Sequence, residues 1–252
     1  MLSSARTRPT RTNRKDQMMT QPTDPMLDAL LDAALPHVAF DGWSQATFDA
    51  AVRDTGMAPA HARTLCPRGA VDLAIAFHQR GDAAMVAALK AADLREMRFR
   101  DKVAHAIRLR LQVIDDKEAV RRGTTLFALP HMAPDGAKLV WGTADAIWNT
   151  LGDTSRDVNW YTKRLTLSGV YSAVVLFWLG DDSLDAQATD AFIDRRIDDV
   201  MRFEKFKADA KANPLTKPFA EALGRFTSRV RAPAKMPDVD LPGIWRDQTP
   251  RQ

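Results

Sequence analysis

The stretch RDVNWYTKRLTLSGVYSAVVLFWLGD, Arg156 to Asp181, decides the fold. Its apolar run, Leu165 to Leu179, is fifteen residues long and is interrupted by Thr166, Ser168 and Ser172. A membrane span needs ~20 consecutive apolar residues, so the run is too short to cross a bilayer. It is also longer than the ~4–8 residues of an ordinary strand. A helix buried on most sides remains, and such a helix demands a large core or another apolar body against it. Asp157 or Ser155 stands where it can cap that helix. Just inside the cap, Trp160 and Tyr161 lie beside Lys163 and Arg164, a grouping that a plain core helix does not require.

The rest of the chain supports an all-α reading. The 252 residues suit one or two domains. A hydrophobic share of 45% with 27% charge is that of an ordinary globular protein. Abundant alanine, sparse glycine and only two tyrosines favour helices over sheet. The single cysteine, Cys66, excludes an internal disulfide framework and reads as a small buried hydrophobe. The net charge of +4 is concentrated in residues 1–25, where five bases face two acids. Residues 26–252 are nearly neutral, so bulk electrostatics gives no mandate for nucleic acid. The N-terminal segment has no apolar h-region and no amphipathic face, and it is expected to be a disordered basic tail or an over-extended start upstream of Met18 or Met19.

Order is expected from Asp24-Pro25, an N-cap followed by proline at the first helical position. Leu27, Leu30, Leu31, Ala34 and Leu35 come next at helical spacing, and Phe40-Asp41-Gly42 turns the chain. Ser44 caps a second helix reaching Arg53, Gly56 breaks it, and a third runs from Ala58 to Leu65. Helical periodicity resumes at Ala70–Gln79 and continues through Ala83–Ile114 with breaks that no residue marks. Further helices are expected at Glu118–Leu129, Ala137–Leu151 with Gly152 as its stop, and Asp190–Phe206. In Pro214–Arg231, six apolar positions fall within an arc of about 100°, with Lys217 and three arginines outside it. The expected organisation is a basic tail over 1–25, a helix-turn-helix-like region over 26–80 and a helical region over 81–207. An amphipathic helix over 214–231 and a Pro-rich disordered tail over 232–252 complete it.

No catalytic signature stands out, and neither a catalytic residue, a metal site nor a cofactor is expected. The glycines are never spaced G-x-G, and neither a P-loop nor a G-x-S-x-G elbow occurs. None of the four glutamates has a histidine three residues on, so the Glu-x-x-His pairs of a di-iron carboxylate bundle are missing. The three N-terminal helices do have the outline of the helix-turn-helix of TetR-type regulators, whose third helix reads the major groove. Yet residues 44–65 hold only Arg53 and Arg63 as bases, cancelled by Asp49 and Asp54. A protein that neutralises several phosphates should be richer in Lys and Arg.

Two segments, LCPRGAVDLAIAFHQRGDAAM (65–85) and DTSRDVNWYTKRLTLSGVYSAVVLFWLGD (153–181), strongly resemble the lipid-binding accessory protein family of ubiquinone (coenzyme Q) biosynthesis. The likeness covers roughly Met26 to Arg231. Its most specific part is the D-x-N-W-Y-x-[KR]-R pattern of Asp157, Asn159, Trp160, Tyr161, Lys163 and Arg164. The resemblance implies a TetR-like fold that has lost DNA binding and forms a homodimer. It implies an apolar cavity for an isoprenoid quinone intermediate or phospholipid, and a patch that docks the di-iron demethoxyubiquinone hydroxylase. It also implies a C-terminal amphipathic helix at the membrane surface. The alternative is a TetR-type regulator with an apolar ligand pocket.

Within that frame the candidate pocket walls are Leu165, Val170, Tyr171, Val174, Leu176, Phe177 and Trp178, with Trp141 and Trp148 opposite. The candidate docking residues are Asp157, Asn159, Trp160, Tyr161, Lys163 and Arg164, placed at the pocket entrance. Trp, Tyr and Arg are the types most enriched among interface hot spots. The candidate membrane contacts are Leu215, Phe219, Leu223, Phe226 and Val230, with Lys217, Arg225 and Arg229 toward headgroups. The compact N-terminal tail and the Ala/Asp-rich composition lead to the expectation of a bacterial cytoplasmic protein, peripheral on the inner membrane. The matrix side of the mitochondrial inner membrane is the alternative.

Overall fold

The computed structural model describes residues 24–212. All regular structure among them is helical. In chain order the helices are α1 Pro25–Asp41, α2 Gln45–Thr55, α3 Pro59–Leu65, α4 Ala70–Ala91 and α5 Phe99–Gln112. They continue as α6 Lys117–Phe127, α7 Ala133–Thr150, α8 Val158–Leu179 and α9 Gln187–Ala212, with a short 3-10 turn at Leu184–Ala186 before α9.

Local chemistry sets most of the boundaries. The Asp24 carboxylate accepts from the Met26 amide at 2.9 Å with Pro25 at the first helical position. The Ser44 hydroxyl accepts from the Thr47 amide at 3.3 Å. Gly42 and Gly56 close the first two helices at φ values of 63° and 64°, a region that glycine enters without steric cost. Asp116 caps α6 through the Ala119 amide at 2.8 Å, and Asp157 caps α8 through the Asn159 amide at 3.0 Å. Asp181 holds the start of α9 through the Thr189 amide and hydroxyl. The hydrogen bonds from Thr189 and Ser183 keep that carboxyl well below the usual carboxylate range.

Two apolar cores share the long helix α4. Its first half places Leu73 and Ala74 in a core with Leu30, Leu31 and Val38 of α1 and Phe48 of α2. Its second half places Met85 and Leu89 in a core with Ile107 of α5, Ile147 of α7, Val174 of α8 and Ile193 of α9. Helix α6 lies against α1 and α7, and α8 is held between α7 and α9. The sequence reading starts α7 four residues late, because Pro134 is accommodated in the first turn of that helix. The unplaced break in 83–114 falls between Ala91 and Phe99, a connection with neither glycine nor proline.

The middle of α4 depends on a missing side chain. At Gly81 a Cβ would lie 2.6 Å from one nitrogen of the buried Arg110 guanidinium, whereas at Gly142 and Gly169 it would meet nothing within 4 Å. Gly81→Ala should therefore lower the melting temperature, although alanine is the better helix former by ~1 kcal/mol. Gly142→Ala and Gly169→Ala should each raise stability by up to ~1 kcal/mol in denaturant unfolding. Equal behaviour of all three variants contradicts the close packing of α4 on Arg110.

Candidate functional site

A cavity of about 370 Å³ lies where the two cores meet. From the N-terminal side, Trp43 and Phe77 line it; from the other side, Val140 of α7 and Val175 of α8 do. Helix α6 forms its cover, with Val120, Thr124 and Phe127 turned inward. The cover is pinned at its start, where Trp43 Nε1 donates to the Ala119 carbonyl at 3.0 Å. Near its end, α6 approaches α7 so closely that a Cβ at Gly136 would lie 2.9 Å from Phe127 Cβ. Of the lining residues, Ala128 and Leu176 are the most open to solvent, and they mark the mouth.

The inner wall is polar. His78 Nε2 and the Thr143 hydroxyl are 2.9 Å apart, and Thr143 donates to the Asp82 carboxylate at 2.9 Å. Arg110 Nε donates to the same carboxylate at 2.6 Å, and its Nη2 donates to the His78 carbonyl at 3.0 Å. His78, Arg110 and Tyr171 all border the cavity. Burial of the imidazole, aided by the nearby Arg110 cation, lowers His78 to about 4 against the opposing pull of Asp82. His78 is thus neutral at physiological pH. Burial also raises the Tyr171 phenol, which stays protonated. One fixed anion and one fixed cation leave this wall without net charge.

A second cavity of about 240 Å³ sits between α5, the first half of α8 and α9. Phe99, Trp148, Val170 and Ile197 give it apolar walls, and Asn159 and Lys163 border it. Phe99 stacks on Trp148 with centroids 5.5 Å apart, and Trp148 Nε1 donates to the Lys163 carbonyl at 3.2 Å.

Beside it, Arg164 is fully buried. Its Nε donates to Asp145 at 2.5 Å, Nη1 to Asp153 and to the Trp160 carbonyl at 3.1 Å each, and Nη2 to Asn149 at 3.1 Å. Its guanidinium carbon lies 4.0 Å from the centre of the Trp160 ring. Asp153 also receives Lys163 Nζ and the Ser155 hydroxyl, both at 2.8 Å. Burial pushes the Asp153 carboxyl up, but the hydrogen bonds from Lys163, Ser155 and Arg164 outweigh it and hold it at about 2.

The sequence-derived residues therefore divide into separate groups. Tyr171 and Leu176 line the first cavity; Trp148 and Val170 line the second. Trp141 belongs to neither cavity. It packs on Trp160 and Tyr161 at centroid distances of 5.9 and 6.5 Å, making an aromatic patch of three. Val174 is core, Phe177 stacks on Phe192 at 4.3 Å, and Trp178 lies under the Lys117 ammonium. Leu165 is 66% exposed and Leu176 61%, which corrects the expectation of a helix buried on most sides. Arg164 is corrected from a surface docking residue to an internal brace, because its partners come from α7 and the following loop. The docking group is not at the mouth of the first cavity: Trp160 and Leu176 are sixteen residues apart on α8, ~24 Å at 1.5 Å per residue. Asn159 and Lys163 border the second cavity instead. Asp157 acts as the α8 cap. Sequence reasoning missed Trp43, Phe77, His78, Arg110 and Phe127, although His78 and Asp82 at i,i+4 on an alanine-rich helix were a usable signal. Leu215, Lys217, Phe219, Leu223, Arg225, Phe226, Arg229 and Val230 lie outside the described residues.

This helix order and paired-core arrangement define a TetR-like fold. The structure is similar to the crystal structure of a TetR transcriptional regulator from Nitrosomonas europaea, with a TM-score of 0.58 at 19% identity, covering 69% of this chain and 97% of that one. Residues 133–204, from α7 well into α9, match the family model described as COQ9. The chain is 30% identical over 189 residues to a probable ubiquinone biosynthesis protein coq9 of Dictyostelium discoideum, covering 71% of this chain and 61% of that protein. It is 35% identical over 103 residues to the ubiquinone biosynthesis protein COQ9 of Rattus norvegicus, covering 41% and 32%, and 27% identical over 198 residues to that of Drosophila melanogaster, covering 77% and 60%. These matches are to the same family that the sequence resembles, COQ9. The chain spans less than two thirds of the length of these relatives. All three are named as mitochondrial proteins, which overturns the expectation of a bacterial cytoplasm and agrees with its mitochondrial alternative.

The buried charges lead to two measurable consequences. Arg164→Ala leaves Asp153 and Asp145 without their shared cation and should cost about 3–5 kcal/mol, and Arg164→Lys, which lacks the planar fork, should recover only part of it. The second is pH dependence. A folded pKa below the unfolded value gives stability that is complete above the unfolded pKa and lost as pH falls. For His78 the loss should run from 6.5 down to about 4, and His78→Gln should abolish that part. For Asp153 it should run from 3.8 to about 2. Thermal melts across this range that stay flat between pH 6.5 and 4 contradict the buried neutral imidazole.

Proposed function

We propose that this chain is a non-catalytic accessory protein of ubiquinone biosynthesis, working in the mitochondrion. It holds an isoprenoid quinone precursor in the first cavity and presents it to the pathway's ring hydroxylase. The observation that carries the reading is the 370 Å³ apolar cavity, closed by α6 and open at Leu176 and Ala128. A polyprenylated ring is insoluble in water, and burying each methylene contributes ~0.8 kcal/mol, so a few isoprene units supply useful affinity. The cavity is within the ~300–1,000 Å³ range of ligand pockets, near its lower end. It suits a ring and the first part of a tail, with the remainder outside.

The names of the matched relatives support the pathway, and the N-terminal helices support a fold no longer used on DNA. The exposed face of α3 presents Pro59, Ala60, His61, Arg63 and Thr64. Arg63 lies 4.6 Å over the Phe48 ring, so one of only two bases in residues 44–65 is drawn onto its own fold. The half-buried Trp141, Trp160 and Tyr161 are the proposed hydroxylase contact. Pairing of two copies and membrane attachment through residues 214–231 complete the proposal. No helix among the described residues is long and apolar enough to cross a membrane.

Organic extraction of purified protein followed by mass spectrometry should return prenylated quinone or phenol. A protein that yields no lipid, or a DNA footprint that survives physiological salt, contradicts the reading. For docking, Trp160→Ala and Tyr161→Ala should each weaken capture of a di-iron demethoxyubiquinone hydroxylase by ~30-fold or more, with retained lipid unchanged. Wild-type capture by both variants contradicts the patch.

A further inference from the structure

The polar wall of the first cavity invites a question that apolar burial does not answer. A pocket meant only for hydrocarbon gains nothing from a buried arginine, aspartate, histidine and tyrosine. Here Arg110 is almost wholly buried at the inner end, next to Gly81, where the absence of a side chain makes room for its guanidinium. The Thr143 hydroxyl joins the cluster. It donates to the Asp82 carboxylate at 2.9 Å, and the Tyr171 phenol lies close to it. The Tyr171 phenol brings one O–H donor and acceptor lone pairs to the lining. Ser172, next along α8, adds a hydroxyl to the same lining.

The charge balance narrows the ligand. Asp82 and Arg110 cancel, and His78 and Tyr171 are neutral, so nothing in the wall calls for a carboxylate or phosphate. An uncharged group with oxygen substituents can meet the polar edge; a bare hydrocarbon leaves it facing apolar matter, which is costly.

We infer that His78, Arg110, Tyr171 and Ser172 form a recognition site for the oxygenated ring of a prenylated aromatic, which enters ring-first and leaves its tail at Leu176 and Ala128. The inference rests on the lipid-holding role proposed above and gives that role its selectivity. Tyr171, Ser172 and His78 are the specificity residues; Asp82 and Thr143 hold His78 and Arg110 in place.

Native mass spectrometry of the full chain, offered equal amounts of a farnesylated methoxyphenol, farnesene and oleate, tests it. Wild-type protein should retain the phenol at least tenfold over both others. Tyr171→Phe and Ser172→Ala should each lower phenol retention several-fold and leave farnesene unchanged. In unmodified protein labelled with 15N-histidine, the phenol should shift the His78 ring resonances and farnesene should not, so the test does not depend on a variant folding. Equal retention of phenol and farnesene overturns ring recognition while sparing the lipid-holding role, as does a preference for oleate. Retention of none of the three overturns both.

Discussion

A guanidinium with no exposure to water must find all its partners inside the protein, and Arg164 meets that demand with four groups. Asp145 and Asn149 come from one face of α7, Asp153 from the loop after it, and the Trp160 carbonyl from the preceding turn of α8. Removing any one leaves a charge or a donor stranded in the interior, a penalty far larger than the gain from a surface ion pair. The arrangement thereby fixes where α8 begins and how it sits on α7. It also holds the face of Trp160 against the cation, which sets the attitude of that half-buried ring beside Trp141 and Tyr161.

From that anchored start α8 runs between two cavities. Val170 borders the second and Tyr171 the first, so neighbouring residues on one helix serve opposite sides. Helix α6 completes the first cavity as a cover whose backbone is tied to Trp43 of the N-terminal core. The helix-turn-helix-like outline and the first cavity are thus joined through Trp43 and α4. In this chain the proposed use of that joint is to carry a lipid.

Much of the fold could be read from caps and turns, because their chemistry is local. Asp24-Pro25, Ser44, Gly56 and Asp157 mark ends through bonds to residues two or three positions away. The Ala91–Phe99 break could not be read, since Ala92–Arg98 contains neither glycine nor proline. The site was only half legible. An almost uninterrupted apolar run has no preferred face, so nothing in 165–179 distinguished exposed Leu165 and Leu176 from buried Val174. Arg164 looked like a surface cation because its acids, Asp145 and Asp153, become neighbours only when α7 and α8 pack. The cavity walls on α4, α5 and α6 are a product of tertiary structure, and single-helix periodicity cannot reveal them.

The central claim is that the first cavity is the lipid site, and photo-crosslinking addresses it directly. A photoreactive farnesylated methoxyphenol, irradiated with the purified full chain and mapped by peptide mass spectrometry, should label α6 between Val120 and Ala128 and α8 between Tyr171 and Leu176. Excess unlabelled phenol should compete that labelling away. Saturable labelling confined to Phe99–Val103 and Ile197–Met201, around the second cavity, contradicts the account.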